Sequence, residues 1–192
     1  MVDKDFCNSS FLAFRYIEKD DMEFFNGLHH RTYKLPEEKD LKLIGNEIEL
    51  DNELKKIFNK LSSKKLGILL SGGMDSACLA AYMPKKSDAY TFRFLNGKYD
   101  SEELHRAETF AKENELNLHY VDINFDIIKE SLKPVMKSKN APVHSIEPQL
   151  YAAALQAKQD GIEMLVIGDA ADYVFYGMDG LLSKDWNIDE FY

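Results

Sequence analysis

The sequence predicts an α/β fold in which a mainly parallel sheet is doubly wound, with helices on both faces. Three observations lead there. Short apolar runs at 66–70, 89–94, 118–123 and 164–167 have the length and composition of buried strands. Each is followed by a stretch with helical character, and strands that alternate with helices of about ten residues or more form crossovers between parallel neighbours. The first run also leads into a small glycine-paired loop, Ser71-Gly72-Gly73-Met74-Asp75-Ser76, and then into a helical segment.

The helices carry their own punctuation. After the second strand, Asp100 with Glu103 forms a capping box, and Leu104, Ala107, Phe110 and Ala111 fall on one face that should pack on the sheet. Pro148 opens a helix over 149–159, which Gly161 can end in a left-handed conformation before the last strand. Upstream, Asn46 and Glu49 cap a helix reaching residue 62, with Ile48, Leu54, Ile57, Phe58 and Leu61 as a docking face. Residues 1–47 lack this rhythm: 11–17 reads as a strand and 36–40 as a polar loop. The expected organisation is an N-terminal extension over 1–47, a remnant or packing segment, followed by one domain over 48–192.

Composition narrows the class. The chain of 192 residues is 45% hydrophobic and 30% charged, ordinary for a folded domain with a full core. Asp and Glu number 33 against 24 Lys and Arg, a formal charge of -9, the wrong sign for gripping a nucleic-acid backbone. The basic run from Lys55 to Lys65 has helical spacing and reads as a solvated face. Cys7 and Cys78 form no C-x-x-C pair, so zinc and dithiol chemistry lack support and a reducing compartment fits. No leader pattern opens the chain and no run approaches the ~18 apolar residues of a membrane span, so a cytoplasmic protein without membrane or nucleic-acid partners is expected. His29, His30, His105, His119 and His144 show no ligand spacing and receive no role.

The loop carries the chemistry. Two glycines let backbone approach a ligand closely, and amide N–H groups at a helix start, with about half a charge of macrodipole, face an anion. Ser71 and Ser76 can add hydroxyl donors. No Lys-Ser or Lys-Thr pair follows the glycines, so this is not a Walker A loop, and the three-glycine spacing of a dinucleotide turn is missing. The plain alternative is an ordinary strand-to-helix turn; the preceding strand, both serines and Asp75 favour a phosphate cradle.

Ser71-Gly72-Gly73-Met74-Asp75-Ser76 resembles the Ser-Gly-Gly-x-Asp-Ser PP-loop of the N-type ATP pyrophosphatases, which cleave ATP between its α and β phosphates. Near the C-terminus, Val166-Ile167-Gly168-Asp169-Ala170-Ala171-Asp172-Tyr173-Val174-Phe175-Tyr176-Gly177-Met178 is similar to a segment of the asparagine synthetases, Ser-Gly-Glu-Gly-Ala-Asp-Glu-Leu-Phe-Gly-Gly-Tyr. The resemblance covers roughly 48–185. It implies a Rossmann-like fold of the adenine nucleotide alpha hydrolase kind, with 48–192 as a PP-loop ATP pyrophosphatase domain truncated relative to the family. It implies ATP and Mg2+ as ligands, with the loop residues Ser71, Gly72, Gly73, Asp75 and Ser76 on the phosphates and Asp75 and Asp172 on the metal. Leu70 and Gly168 would offer backbone contacts to adenosine, and Phe92, with Phe94, a wall for adenine. For each aspartate the alternative is a helix cap, and for the phenylalanines a place in the core.

The implied reaction is adenylation of a small carboxylate, aspartate in the asparagine synthetases, followed by displacement of AMP by an amine. This sequence departs from the pattern at three places. Asp169, the candidate catalytic acid, stands where the family has glutamate, and Tyr173 and Tyr176 replace a glutamate and a glycine. Val2 rather than cysteine follows the initiator Met, and residues 1–70 have no room for a glutaminase, so ammonia is expected from solution or a separate glutaminase. The family continues into a helical half with a catalytic lysine, whereas this chain ends at Tyr192; the expectation is either a fragment or truncated product, or a minimal relative whose other half comes from another chain. A nucleotide-binding module without turnover and a tRNA-modifying PP-loop enzyme are the alternatives, the latter calling for a basic surface and reactive cysteines.

Overall fold

The computed structural model describes residues 2–14, 16–31, 37–95, 101–143, 146–169 and 171. The expectations resting on Asp100, His144, Asp172, Tyr173 and Tyr176 therefore lie outside the described residues.

The chain opens with a helix, α1 (Lys4–Phe14), where a strand over 11–17 is expected from the density of apolar residues. The cause lies upstream of that window. The Asp3 carboxylate accepts the Phe6 N–H at 3.0 Å, an N-cap bond that starts a helix before the apolar run begins. Ser10 Oγ closes the other end, donating to the Tyr16 carbonyl at 3.0 Å and accepting from the Glu18 N–H at 2.8 Å. A short antiparallel hairpin follows, β1 (Glu23–Phe25) and β2 (Leu28–His29), turning at Gly27 with φ 72°. Part of the expected polar loop, Glu38–Asp40, is a 3-10 turn.

Helix α2 (Glu47–Lys60) begins at the expected cap, with Asn46 accepting from the Glu49 N–H at 2.9 Å. Its docking face is narrower than the sequence suggests. Phe58 and Leu61 pack on the core, but Ile48 and Ile57 are 66% and 49% exposed. The helix meets Tyr82 twice, with Phe58 stacked on its ring at 5.6 Å and Asp51 accepting from its hydroxyl at 2.8 Å.

The main sheet is four-stranded and parallel. Its strands are β3 (Leu66–Leu69), β4 (Asp88–Phe94), β5 (Asn117–Ile123) and β6 (Met164–Val166), in the order β5-β4-β3-β6. Between them run α3 (Met74–Ala80), α4 (Ser101–Glu113), α5 (Phe125–Lys139) and α6 (Glu147–Gln159). Alternation along the strands divides the core in two. On one face Leu66, Ile68 and Leu70 meet Ala80 of α3 and Ala107 and Ala111 of α4. On the other, Leu69, Tyr90, Val121 and Ile123 meet Ala153 and Ala157 of α6, with Ile127 and Ile128 of α5 against them. Both faces carry helices, as expected of a doubly wound fold. The chain lays strands outward from β3 to β5, then returns to place β6 on the opposite side of β3. That reversal opens a crevice at the C-terminal ends of β3 and β6, where open α/β sheets hold ligands.

Among the described residues no helix is long and apolar enough to cross a membrane. Cys7 is buried in α1 with its thiol 3.8 Å from the Glu23 carbonyl, while Cys78 is exposed; both are free.

The N-terminal segment docks on the domain through the backbone bond from Arg31 N–H to the Asn140 carbonyl, 3.1 Å, just beyond α5. Beside it His30 is 3% exposed, and neither ring nitrogen has a hydrogen-bond partner among the described residues. Burial holds its pKa below the ordinary value; Asp20 opposes the shift and Lys139 adds to it. The unfolded chain thus takes up a proton that the folded one resists, so this contribution is full above the ordinary histidine pKa of about 6.5 and is lost as pH falls below it. Denaturant midpoints at pH 7.5 and 5.5 should fall more for the wild type than for His30→Leu; an equal fall would remove His30 from the account.

Candidate active site

The loop after β3 is shaped by its own serines. Leu70 extends the ladder by one residue, its N–H bonding to the Tyr90 carbonyl at 2.7 Å. Ser76 is buried at the centre of the turn that follows. Its hydroxyl donates to the Gly73 carbonyl at 3.0 Å and accepts from the Ser71 N–H at 3.2 Å. With the Ser76 proton so used, Ser71 Oγ donates to Ser76 Oγ at 3.1 Å and accepts from the Gly73 N–H at 3.3 Å. Both hydroxyl protons are spent within the loop, so the serines fix its shape rather than presenting spare donors.

Two glycines permit the approach of neighbouring elements. Gly72 has φ +82°, and a Cβ there would stand 2.1 Å from the Glu103 carbonyl oxygen of α4. A Cβ on Gly168, just beyond β6, would stand 2.9 Å from Ser76 N and 3.1 Å from Asp75 C. The first turn of α3 is thus enclosed by backbone, with α4 behind the loop and the end of β6 beside it. From α4, Arg106 Nε donates to the Gly72 carbonyl at 3.1 Å.

A cleft of about 190 Å³ opens at this point. Ser71, Gly73, Asp75 and Ser76 line one side, Gly168 and Asp169 line another, and Ile146 and Leu150 form an apolar wall. Six of the residues singled out from the sequence therefore meet in one crevice, at the place where the strand order reverses. The others are placed differently. Gly72 lies behind the cleft against α4, and Leu70 is fully buried beneath it. Phe92 packs with the second core cluster, its ring 6.5 Å from that of Phe94, and does not line the cleft. Asp172 lies outside the described residues.

Among the described residues no group of three or more His, Cys, Asp or Glu is gathered as a metal cage. The cleft instead offers the carboxylate of Asp75, with that of Asp169 at another wall; a magnesium ion needs only a carboxylate or two and draws its other ligands from phosphate and water. Sequence reasoning missed the Ile146 and Leu150 wall and Arg106. The apolar pair reads as helix core by periodicity, and an arginine on a solvated helix face carries no local signal of what it reaches.

The asparagine synthase family model matches residues 52–191, a span holding both the loop and the 166–178 segment. A curated relative from Methanocaldococcus jannaschii, named "Putative asparagine synthetase (glutamine-hydrolyzing) 1", is 30% identical over 118 residues. That alignment covers 59% of this chain and 21% of the relative, so the chain spans about a fifth of the length of the curated relative it matches. Among solved structures, the NH3-dependent NAD synthetase from Campylobacter jejuni, in complex with nitrate, matches with TM-score 0.42 and 13% identity over 73% of this chain and 75% of that one. The NMN synthetase from Francisella tularensis matches with TM-score 0.37 and 14% identity, covering 72% and 52%.

The packing behind the loop makes a stability prediction. Gly72→Ala puts a Cβ against backbone at a left-handed φ, and should lower unfolding free energy by more than about 2 kcal/mol. Gly73→Ala meets only the movable Ser71 hydroxyl at 3.3 Å and should stay within about 1 kcal/mol of wild type. Urea unfolding of both variants checks the contrast, and equal stability would contradict the packing.

Proposed function

The chain belongs to the asparagine synthase family, a family of ATP-using, amide-forming ligases, and we propose that it is the ATP-handling part of such a ligase. The observation that carries this reading is the meeting of the Ser71–Ser76 loop with Gly168 and Asp169 in one cleft at the strand reversal. We assign the ATP domain to 48–192, with 1–47 as an extension packed on it.

In the proposed reaction an oxygen of a small carboxylate attacks the α-phosphorus of ATP. The bond from that phosphorus to the bridging oxygen breaks, pyrophosphate leaves, and an acyl-adenylate remains. An amine then attacks the acyl carbon, AMP departs, and the nitrogen loses a proton. The protein's part is positioning and charge stabilisation. The loop backbone faces the departing pyrophosphate, with the Gly73 N–H steadied by Ser71 Oγ. Asp75 and Asp172 hold Mg2+, which when bound offsets charge gathering on the leaving group. Asp169, exposed at the other wall, receives the proton of the incoming amine at its carboxylate.

Adenosine contacts follow the backbone. Because the Leu70 N–H is committed to Tyr90, the Leu70 carbonyl is the group we assign to the nucleoside, together with the backbone of Gly168. Phe92 packs against the same core cluster as Leu150 of the cleft wall, and we assign it at most an indirect part on the adenine side. Aspartate and ammonia are the proposed substrates by family membership, with ammonia taken from solution or from a partner glutaminase. One observation favours a second reading, nucleotide binding without turnover: the acid at the cleft is aspartate where the family has glutamate.

Calorimetric titration with ATP, with and without magnesium, separates these from a chain that binds no nucleotide. Pyrophosphate release with aspartate and ammonium then separates ligase from binding module. Asp75→Asn and Asp172→Asn should each weaken magnesium-dependent ATP binding at least about tenfold, or 1.4 kcal/mol, with the melting temperature unchanged; wild-type affinity in both would end the metal assignment.

A further inference from the structure

We propose that Arg106 is a positioning residue for the polyphosphate of ATP, acting by fixing the orientation of the Gly72–Gly73 peptide. The inference rests on the reading of the cleft as an ATP site and deepens it. Arg106 projects from α4, thirty-four positions from the loop in sequence, and its Nε–H donates to the Gly72 carbonyl at 3.1 Å. Its Nη1 lies 3.7 Å from Glu102 Oε2, and the side chain is 45% exposed.

The peptide that Arg106 holds is the one that matters. Within a planar trans peptide the carbonyl and the following N–H point in opposite directions. Drawing the Gly72 carbonyl toward α4 therefore turns the Gly73 N–H the other way, to the side where it meets Ser71 Oγ at 3.3 Å and where Gly73 lines the cleft. A Gly-Gly pair places little steric restraint on that peptide, since glycine adopts either sign of φ with similar ease. Flipped, the same peptide would aim a carbonyl oxygen at the cleft and repel a phosphate. The hydrogen bond from a guanidinium is charge-assisted and stronger than one between neutral groups, so it adds to the weaker bond from Gly73 N–H to Ser71 Oγ, at the other end of the same peptide, in holding that orientation. The register of the contact is built into α4: Glu103, whose carbonyl abuts Gly72, and Arg106 are three residues apart and share one side of the helix.

The test compares variants that separate the N–H donor from the charge. Titration with magnesium-ATP and with magnesium-pyrophosphate should give Arg106→Met at least about tenfold weaker binding of both, and Arg106→Gln, which keeps an N–H donor without the charge, within about threefold of wild type. Melting temperatures of both variants should match wild type, because the side chain is half exposed. The inference is overturned if Arg106→Met binds as the wild type does, or if Arg106→Gln loses as much as Arg106→Met, since an N–H donor at this position would then not hold the peptide. A wild-type chain that binds neither ligand would sink the ATP reading itself and this inference with it, an outcome distinct from a binding wild type with indifferent variants.

Discussion

The structure depends on backbone meeting backbone around the first turn of α3. The Glu103 carbonyl lies where a side chain on Gly72 would begin, and the Ser76 amide lies where one on Gly168 would begin. Neither approach is open to any other residue type without displacement of main chain. These contacts bring three separate parts of the chain, at 71–76, 103–106 and 167–169, into one small region. Ser71, Gly73, Asp75, Ser76, Gly168 and Asp169, the assigned residues that line the cleft, all belong to them.

Around that point the sheet supplies a scaffold of unequal character. Ile68, Leu70, Ala89 and Tyr90 are buried at the centre, and Gly67 leaves room for the Tyr90 ring, which a Cβ there would approach to 3.2 Å. The buried Tyr90 hydroxyl is satisfied by Asp160 at 2.8 Å, beyond α6. At the outer strands the contacts become polar: Arg93 grips Asp122 through Nε and Nη2 at 2.6 and 3.0 Å and stacks over Tyr120. The central strand is thus held by apolar burial, while β5 adds to its buried Val121 and Ile123 a half-exposed ion pair with β4 that contributes little. The loop is hung from the strand whose residues are all buried.

The sheet was legible in the sequence because buried parallel strands are apolar throughout and glycines and caps mark their ends. The runs at 66–70 and 118–123 coincide with β3 and β5 to within a residue at each end. The loop was legible for a different reason, since its residue types are those its geometry demands. What escaped were features set by long-range contact. The stretch 11–17 has the composition of a strand, yet a cap at Asp3, outside that window, commits the segment to a helix. Phe92 stands on the same side of its strand as Tyr90, and alternation alone cannot say that this side faces α6 and the core rather than a ligand. Arg106 looks like any solvated helix residue until α4 is seen to cross behind the loop.

The two helical layers rest on the sheet through alanines four residues apart, Ala107 and Ala111 on one side and Ala153 and Ala157 on the other. A methyl group has no rotamers to exchange. At those contacts a small side chain lets helix backbone come close to the sheet, so a larger residue at Ala107 or Ala111 would push α4, and the Glu103 carbonyl with it, relative to the loop.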